Sequence, residues 1–194
     1  MKKTISLLLT LILVLSLAAC SSKETPTDDS PNPPTENNQM EGSSQRTQYP
    51  LTVTTYNYEK EQVTYTLEQA PQRVWAQSQD NIEILLALGL KDKIVGAYGL
   101  DGDIREDLAA DFSEINYYDS MPSKEEILAL EPDFISGWYS TFDEKRLGDV
   151  DFWHERGVGT YMALNSACRG PAAENPQTVE HECQDILTLG QIFD

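Results

Sequence analysis

Between residues 73 and 99 the apolar positions change period twice. Residues 73–76 form a short β-prone run, and the polar stretch Gln77-Ser78-Gln79-Asp80-Asn81 leads into Ile82, Leu85, Leu86 and Leu88, which recur at helical spacing. Gly89 ends that helix, because glycine takes the left-handed position after a helix without a Cβ penalty. Ile94-Val95 then opens a nearly all-apolar strand. Two apolar strands joined through a helix predict a parallel βαβ unit buried on both faces. Ligands of such sheets sit beyond the carboxyl ends of the strands, which makes residues 78–81 and Tyr98-Gly99 a candidate binding edge.

The same two periods organise the rest of the chain. Residues 51–56 and 62–67 are alternating, β-branched runs that predict an antiparallel hairpin at the domain edge, and Ala70-Pro71 breaks the chain after it. Residues 100–103 form a turn, where Asp101 and Asp103 fit turn and helix-cap positions better than a cation site. Residues 104–110 predict a short helix and the tyrosine-rich 116–121 an irregular stretch. Ser123 and Glu126 stand at capping-box spacing before Ile127, Leu128 and Leu130. Next come a strand over 134–138, a helix over 150–155 and a strand over 160–163. After a polar loop holding Arg169, Thr178 opens a helix with Val179, Cys183, Ile186, Leu187 and Phe193 at core spacing. The alternation predicts an α/β fold, a three-layer sandwich with a mostly parallel sheet and right-handed crossovers.

The first 48 residues change the picture. Lys2-Lys3 precede an apolar run over 5–19, shorter than the roughly 20 residues of a membrane-spanning helix, so residues 1–19 fit a secretory signal. The run closes on Leu17-Ala18-Ala19-Cys20, which resembles the bacterial lipobox, with Cys20 as the site of lipid attachment (diacylglycerol and an acyl chain such as palmitate). Residues 20–48 then form an anchor and tether: Pro26, Pro31, Pro33, Pro34 and many short polar residues surround a single large apolar one, Met40, too little to offset the ordering entropy. Residues 49–194 have the size of one domain. A Cys20→Ala chain is expected in the soluble fraction after cell fractionation; undiminished membrane retention would exclude the anchor.

Charge narrows the partners. The formal charge is −18, and loss of Lys2 and Lys3 with the signal takes it to −20, which argues against nucleic acid and anionic lipid surfaces as partners. A Cys168–Cys183 bridge is open in an oxidising exterior, but two separate thiols are the better reading, and no CxxC or His spacing points to a zinc site.

With these elements in order, the chain resembles the substrate-binding proteins of bacterial ABC importers for iron-siderophores, haem and cobalamin, the Fe/B12 periplasmic-binding family. The carriers are Ala70-Pro-Gln-Arg-Val74, the run 81–89 with Lys93-Ile-Val-Gly96, the run 123–133 with Trp138-Tyr139, and 187–193. The resemblance implies two α/β lobes joined by a long helix, with ligand in a cleft between them. Residues 49–194 would be the amino-terminal lobe, 178–193 the start of that helix, and the second lobe absent. It further implies that the loops after the strands line the cleft. Trp138 matches a position where cobalamin binders set an aromatic ring against ligand, with Tyr139 beside it, and Tyr98 lies in the corresponding loop after the second strand; both Trp138 and Tyr98 also fit core positions. The loop Ser78-Gln79-Asp80 is more polar than the family's usual turn. Arg169 is a candidate partner for an anionic ferric complex and equally fits a solvated loop position. Glu125 matches the acidic residue that docks on the permease, and also suits a helix's first turn. His154 and His181 fall in helices, where solvated faces are expected.

The implied function is capture of a metal chelate, foremost an iron-siderophore, by a lipoprotein on the extracytoplasmic face of the membrane and delivery to an ABC permease and its ATPase, with no cofactor of its own. Haem or cobalamin is the alternative ligand. An enzyme is a poorer reading, because Asp80, Glu83 and His154 have no nucleophile–base pair, phosphate loop or metal motif beside them. A surface adhesin explains the anchor but not a rim of aromatic and polar loops.

Overall fold

A computed structural model of the protein describes residues 46–168 and 176–194. The signal, Cys20, almost all of the tether and Arg169 lie outside the described residues.

The chain opens with β1 (Leu51–Tyr56) and β2 (Gln62–Leu67), an antiparallel pair in which Leu51 faces Leu67 and Tyr56 faces Gln62. The central sheet comes next, from β3 (Val74–Gln77), β4 (Ile94–Tyr98), β5 (Tyr117–Tyr118), β6 (Phe134–Gly137) and β7 (Gly159–Met162), in spatial order β5-β4-β3-β6-β7. Every pairing in it is parallel. The helices are α1 (Gln79–Ala87), α2 (Ala109–Phe112), α3 (Lys124–Ala129), α4 (Val150–His154), α5 (Leu164–Ala167) and α6 (Val179–Phe193).

Strand alternation divides the core into two layers. Val74 and Ala76 of β3, Phe134 of β6 and Tyr161 of β7 meet Ile82, Leu85 and Leu86 of α1 and Leu189, Ile192 and Phe193 of α6. Their chain neighbours Trp75, Ile135 and Met162 meet Ile127 of α3 and Val150 and Trp153 of α4 on the other face. Each fully buried side chain of this size contributes about 1.5–3 kcal/mol. The sheet is therefore sandwiched between helical layers, the expected three-layer α/β architecture.

Local signals place the helix ends. Gly89 has φ +74, its amide donates to the Leu86 carbonyl at 2.9 Å, and the Leu90 amide donates to the Leu85 carbonyl at 3.0 Å, a complete Schellman close. At α3 the Glu126 amide donates to Ser123 Oγ (3.2 Å) and the Ser123 amide to Glu126 Oε2 (2.8 Å), the reciprocal box expected from the spacing of the two residues.

Three details differ from the sequence reading. The irregular stretch contains β5, an edge strand of two residues on β4. The buried face of α6 is Asp185, Leu189, Ile192 and Phe193, whereas Val179, Ile186 and Leu187 are 74%, 44% and 66% exposed and Cys183 is exposed too. Asp185 takes the inward position because Tyr161 Oη and the Leu164 amide both donate to it, at 2.7 and 3.1 Å. Neither histidine sits on a solvated face. His154 stacks on Tyr65 with ring centroids 4.4 Å apart and bonds Thr160 Oγ1, and burial lowers its pKa; His181 Nδ1 lies 3.0 Å from Asn165 Oδ1. Both described cysteines are free, as two separate thiols require.

Candidate functional site

From β3 the chain moves outward through β4 to β5 on one side, then returns to place β6 and β7 on the other. The order of connection reverses between β3 and β6. The loops leaving two such strands diverge, and the crevice between them is where doubly wound sheets take ligands.

The loop after β3 begins at Ser78, whose φ of 82° and ψ of 144° fall in a region that usually needs glycine. Holding serine there costs on the order of 1–3 kcal/mol, and strain of this kind collects at functional sites. The conformation is fixed on both sides: the Ser78 amide donates to the Tyr98 carbonyl at 2.9 Å, and the Ile82 amide donates to the Ser78 carbonyl at 3.1 Å. The loop after β6 begins at Trp138. Its backbone amide donates to Thr141 Oγ1 at 3.1 Å, and its indole Nε1 donates across the crevice to Asp80 Oδ2 at 2.5 Å.

That bond ends a polar relay running out of the core. Ser136 Oγ donates to Asn81 Oδ1 at 2.6 Å, Asn81 Nδ2 donates to Asp80 Oδ1 at 3.1 Å, and Asp80 receives the indole. Burial pushes the Asp80 carboxyl pKa up, the Trp138 and Asn81 bonds oppose the rise, and the charge of Glu182 adds to it. A polar chain satisfied from end to end fixes one orientation of its last member. Here the last member is the indole.

Together these loops bound a cleft of about 410 Å³ lined by Gln77, Ser78, Tyr98, Gly99, Leu100, Asp101, Trp138, Ser140 and Arg146. Of the residues proposed from sequence, Ser78, Tyr98 and Trp138 line it, and Asp80 stands behind Trp138. Gln79 turns away: its Oε1 accepts from the Asp101 and Gly102 amides at 3.1 and 3.0 Å, and its Nε2 donates to the Asp103 carbonyl, so it clasps the loop after β4. That clasp also makes Asp101 and Asp103 parts of a held turn. Tyr139 is turned toward the hairpin, with its ring 6.1 Å from Tyr58. Glu125 is exposed in the first turn of α3.

Two lining residues carry charges that the sequence reading did not assign to the cleft, Arg146 and Asp101. No local motif marks Arg146; it reaches the cleft because the segment after β6 folds back. A larger hollow of about 780 Å³ lies among Arg46, Thr47, Gln48, Leu88, Leu90 and the end of α6. It is away from the strand ends, and no loop of the switch point enters it. Among the described residues no three His, Cys, Asp or Glu side chains converge as metal ligands.

No family model and no curated protein matches the chain. Among solved structures, a periplasmic binding protein from Veillonella parvula DSM 2008 is 31% identical, over 76% of this chain and 47% of its own, with a TM-score of 0.68. An ABC-type Fe3+-hydroxamate transport system from Saccharomonospora viridis DSM 43017 is 21% identical over 76% of this chain and 49% of its own, with a TM-score of 0.52. The siderophore-binding protein BauB, solved with two molecules of acinetobactin and ferric iron, is 19% identical over 74% of this chain and 45% of its own, at a TM-score of 0.52. The last two share the fold. The chain spans about half the length of the structures it matches. The parallel sheet, its switch-point cleft and the 31% identity make the chain similar to a periplasmic binding protein over about half of that protein's length, which supports the resemblance to a part of the Fe/B12 periplasmic-binding family.

Proposed function

We propose that the chain is the amino-terminal part of a lipid-anchored, extracytoplasmic substrate-binding protein that captures an anionic metal chelate, foremost a ferric siderophore, and delivers it to an ABC permease. The observation that carries the reading is Trp138, held by Asp80 at the mouth of the switch-point cleft with Tyr98 and Arg146 among the same lining residues. An oriented aromatic face suits a large planar or aromatic ligand, and a guanidinium suits its carboxylate, catecholate or hydroxamate oxygens. In this reading Arg146 takes the charge-pairing role that the sequence offered to Arg169. Glu125, exposed on α3 and outside the cleft, is the contact for the permease. The ligands of the neighbours, acinetobactin with ferric iron for BauB and an Fe3+-hydroxamate for the Saccharomonospora protein, support this substrate class.

Fluorescence tests the reading, because Trp75 and Trp153 are fully buried and Trp138 is not. Ferric hydroxamate and ferric catecholate siderophores, haem and cobalamin are titrated into the purified mature chain. A ferric siderophore is expected to quench Trp138 at micromolar or weaker affinity, since a chain with half the length of its relatives offers fewer of the contacts that enclose a ligand. Trp138→Ala, read by calorimetry, and Arg146→Glu are each expected to weaken that binding about tenfold, equivalent to about 1.4 kcal/mol. Glu125→Arg is expected to leave it unchanged and to reduce uptake in cells. Quenching by none of the probes, or full affinity in Arg146→Glu, would exclude the proposed cleft.

A further inference from the structure

We infer that the tip of the amino-terminal hairpin is a latch that holds the ligand-facing segment 138–146 in place, with Tyr58 and Lys60 as its positioning residues. The inference rests on the reading of the switch-point cleft as the ligand site.

The hairpin is fixed at its base before it reaches the cleft. Tyr65 Oη donates to the Thr160 carbonyl at 2.9 Å, and the Met162 amide donates to Thr55 Oγ1 at 2.9 Å, so both strands are bonded to β7. Its turn is held in one shape. The Lys60 amide donates to the Asn57 carbonyl at 3.0 Å, the Asn57 amide to the Glu61 carbonyl at 3.0 Å, and the Glu61 amide to Asn57 Oδ1 at 2.8 Å. Lys60 occupies the turn position that favours glycine, with φ 70°. A lysine at such a position is a strained choice, and its side chain has a use: Nζ lies 5.1 Å from the centroid of the Tyr139 ring.

Tyr58 completes the grip. Its ring stacks on Tyr139 with centroids 6.1 Å apart and an interplanar angle of 26°, and the neighbouring Asp143 carboxylate raises its pKa. Asp143 in turn shapes residues 145–148, since its carboxylate accepts from the Lys145 amide at 2.8 Å and its carbonyl accepts from the Arg146 and Gly148 amides at 2.8 and 3.0 Å. The Asp143 pKa is accordingly lowered, first by the Lys145 amide and then by Tyr58. The two residues that the hairpin meets, Tyr139 and Asp143, lie within the segment 138–146, which contributes Trp138, Ser140 and Arg146 to the cleft. Neither Tyr58 nor Lys60 lines that cleft, so both act on a ligand only through the segment.

The test reads the segment and the ligand separately in the mature chain. In the double variant Tyr58→Ala/Lys60→Ala, amide hydrogen exchange at Thr141, Arg146, Leu147 and Gly148 is expected to rise tenfold or more, while the β3 and β6 amides keep their protection. Affinity for ferrioxamine B, a ferric hydroxamate, is expected to fall about tenfold. Tyr58→Phe, which keeps the stack and loses the hydroxyl beside Asp143, should restore part of both losses. If the double variant does not fold, Lys60→Gly, which removes the cation and relieves the turn, gives the same comparison with a smaller rise in exchange. Unchanged exchange at these four amides in a folded variant overturns the latch. A rise in exchange with no binding of ferrioxamine B or any other probe by the unaltered chain upholds the latch and removes the ligand reading of the cleft.

Discussion

Asp185→Ala is expected to destabilise the fold by about 3 kcal/mol, since it removes a buried acceptor and leaves its donors without partners. The residue is 1% exposed, its carboxylate accepts from Tyr161 Oη at 2.7 Å, and both its oxygens accept from the Leu164 amide at 3.1 Å. These bonds fasten α6 to the end of β7 and the start of α5. The same carboxylate gives stability a dependence on pH. Burial raises its pKa to about 6, the Tyr161 and Leu164 bonds oppose the rise, and the charges of Glu182 and Asp80 add to it. The folded chain therefore holds this proton more firmly than the unfolded chain, whose carboxyl titrates near 4. Between about pH 4 and 6 the folded state binds more protons, so this group's contribution falls as pH rises through that window; by pH 7 it is smaller by roughly 2–3 kcal/mol than at pH 4. Asp185→Asn keeps an acceptor for both donors and cannot titrate. Urea unfolding of the two folded chains across pH 4–7.5 should show a flatter profile for the asparagine variant, and identical slopes would mean that Asp185 is not the group responsible.

α6 also marks a limit of what can be read from the sequence. Local signals transferred directly: the hairpin strands, the Gly89 close and the Ser123–Glu126 box depend on residues a few positions apart. The buried stripe of α6 did not transfer. A carboxylate partnered by Tyr161 outranks Leu187 for the interior, and a pattern of apolar residues carries no record of such a partner. β5 escaped for a related reason, because two residues have no periodicity of their own and Tyr117-Tyr118 become a strand only by pairing with Ala97 and Tyr98.

The candidate site divides along the same line. Ser78 and Tyr98 were legible because strand ends were legible, and parallel sheets gather their binding loops at one edge, whereas Trp138 was proposed from the family resemblance. What those side chains do was not. Asp80 spends one oxygen on the Trp138 indole, Gln79 clasps the Asp101–Gly102 turn, and Tyr139 is engaged by a hairpin about eighty positions upstream. Arg146 enters the cleft through a turn built on Asp143. Each is a long-range pairing or a fold-back, and neither leaves a local signature.

Gly137→Ala is expected to couple this architecture to the cleft in the most direct way, with a loss of about 2–3 kcal/mol in stability. Gly137 ends β6, opposite Met162, and a Cβ there would overlap Thr141 Oγ1 and stand 3.0 Å from Thr141 Cβ and Cγ2. Thr141 cannot swing aside. It is fully buried and β-branched, its Oγ1 accepts from the Trp138 amide at 3.1 Å, and its own amide donates to the Trp138 carbonyl at 2.8 Å. The added methyl must therefore push the whole turn outward, and Trp138 with it, away from Asp80. Loss of the indole bond is expected to shift Trp138 emission, since the other two tryptophans lie in the core. A double-mutant cycle separates this from general overpacking. Thr141→Ala alone removes the acceptor of the Trp138 amide and is expected to cost about 1 kcal/mol. Combined with Gly137→Ala it also removes the overlapping hydroxyl and methyl, so the double variant should recover at least about 1 kcal/mol relative to the sum of the single losses. The emission shift should persist in the double variant, because the turn's fastening to Trp138 is gone even when space is restored. Additive losses would show that the methyl is absorbed elsewhere, and that β6 does not set the position of the ligand-facing turn through Thr141.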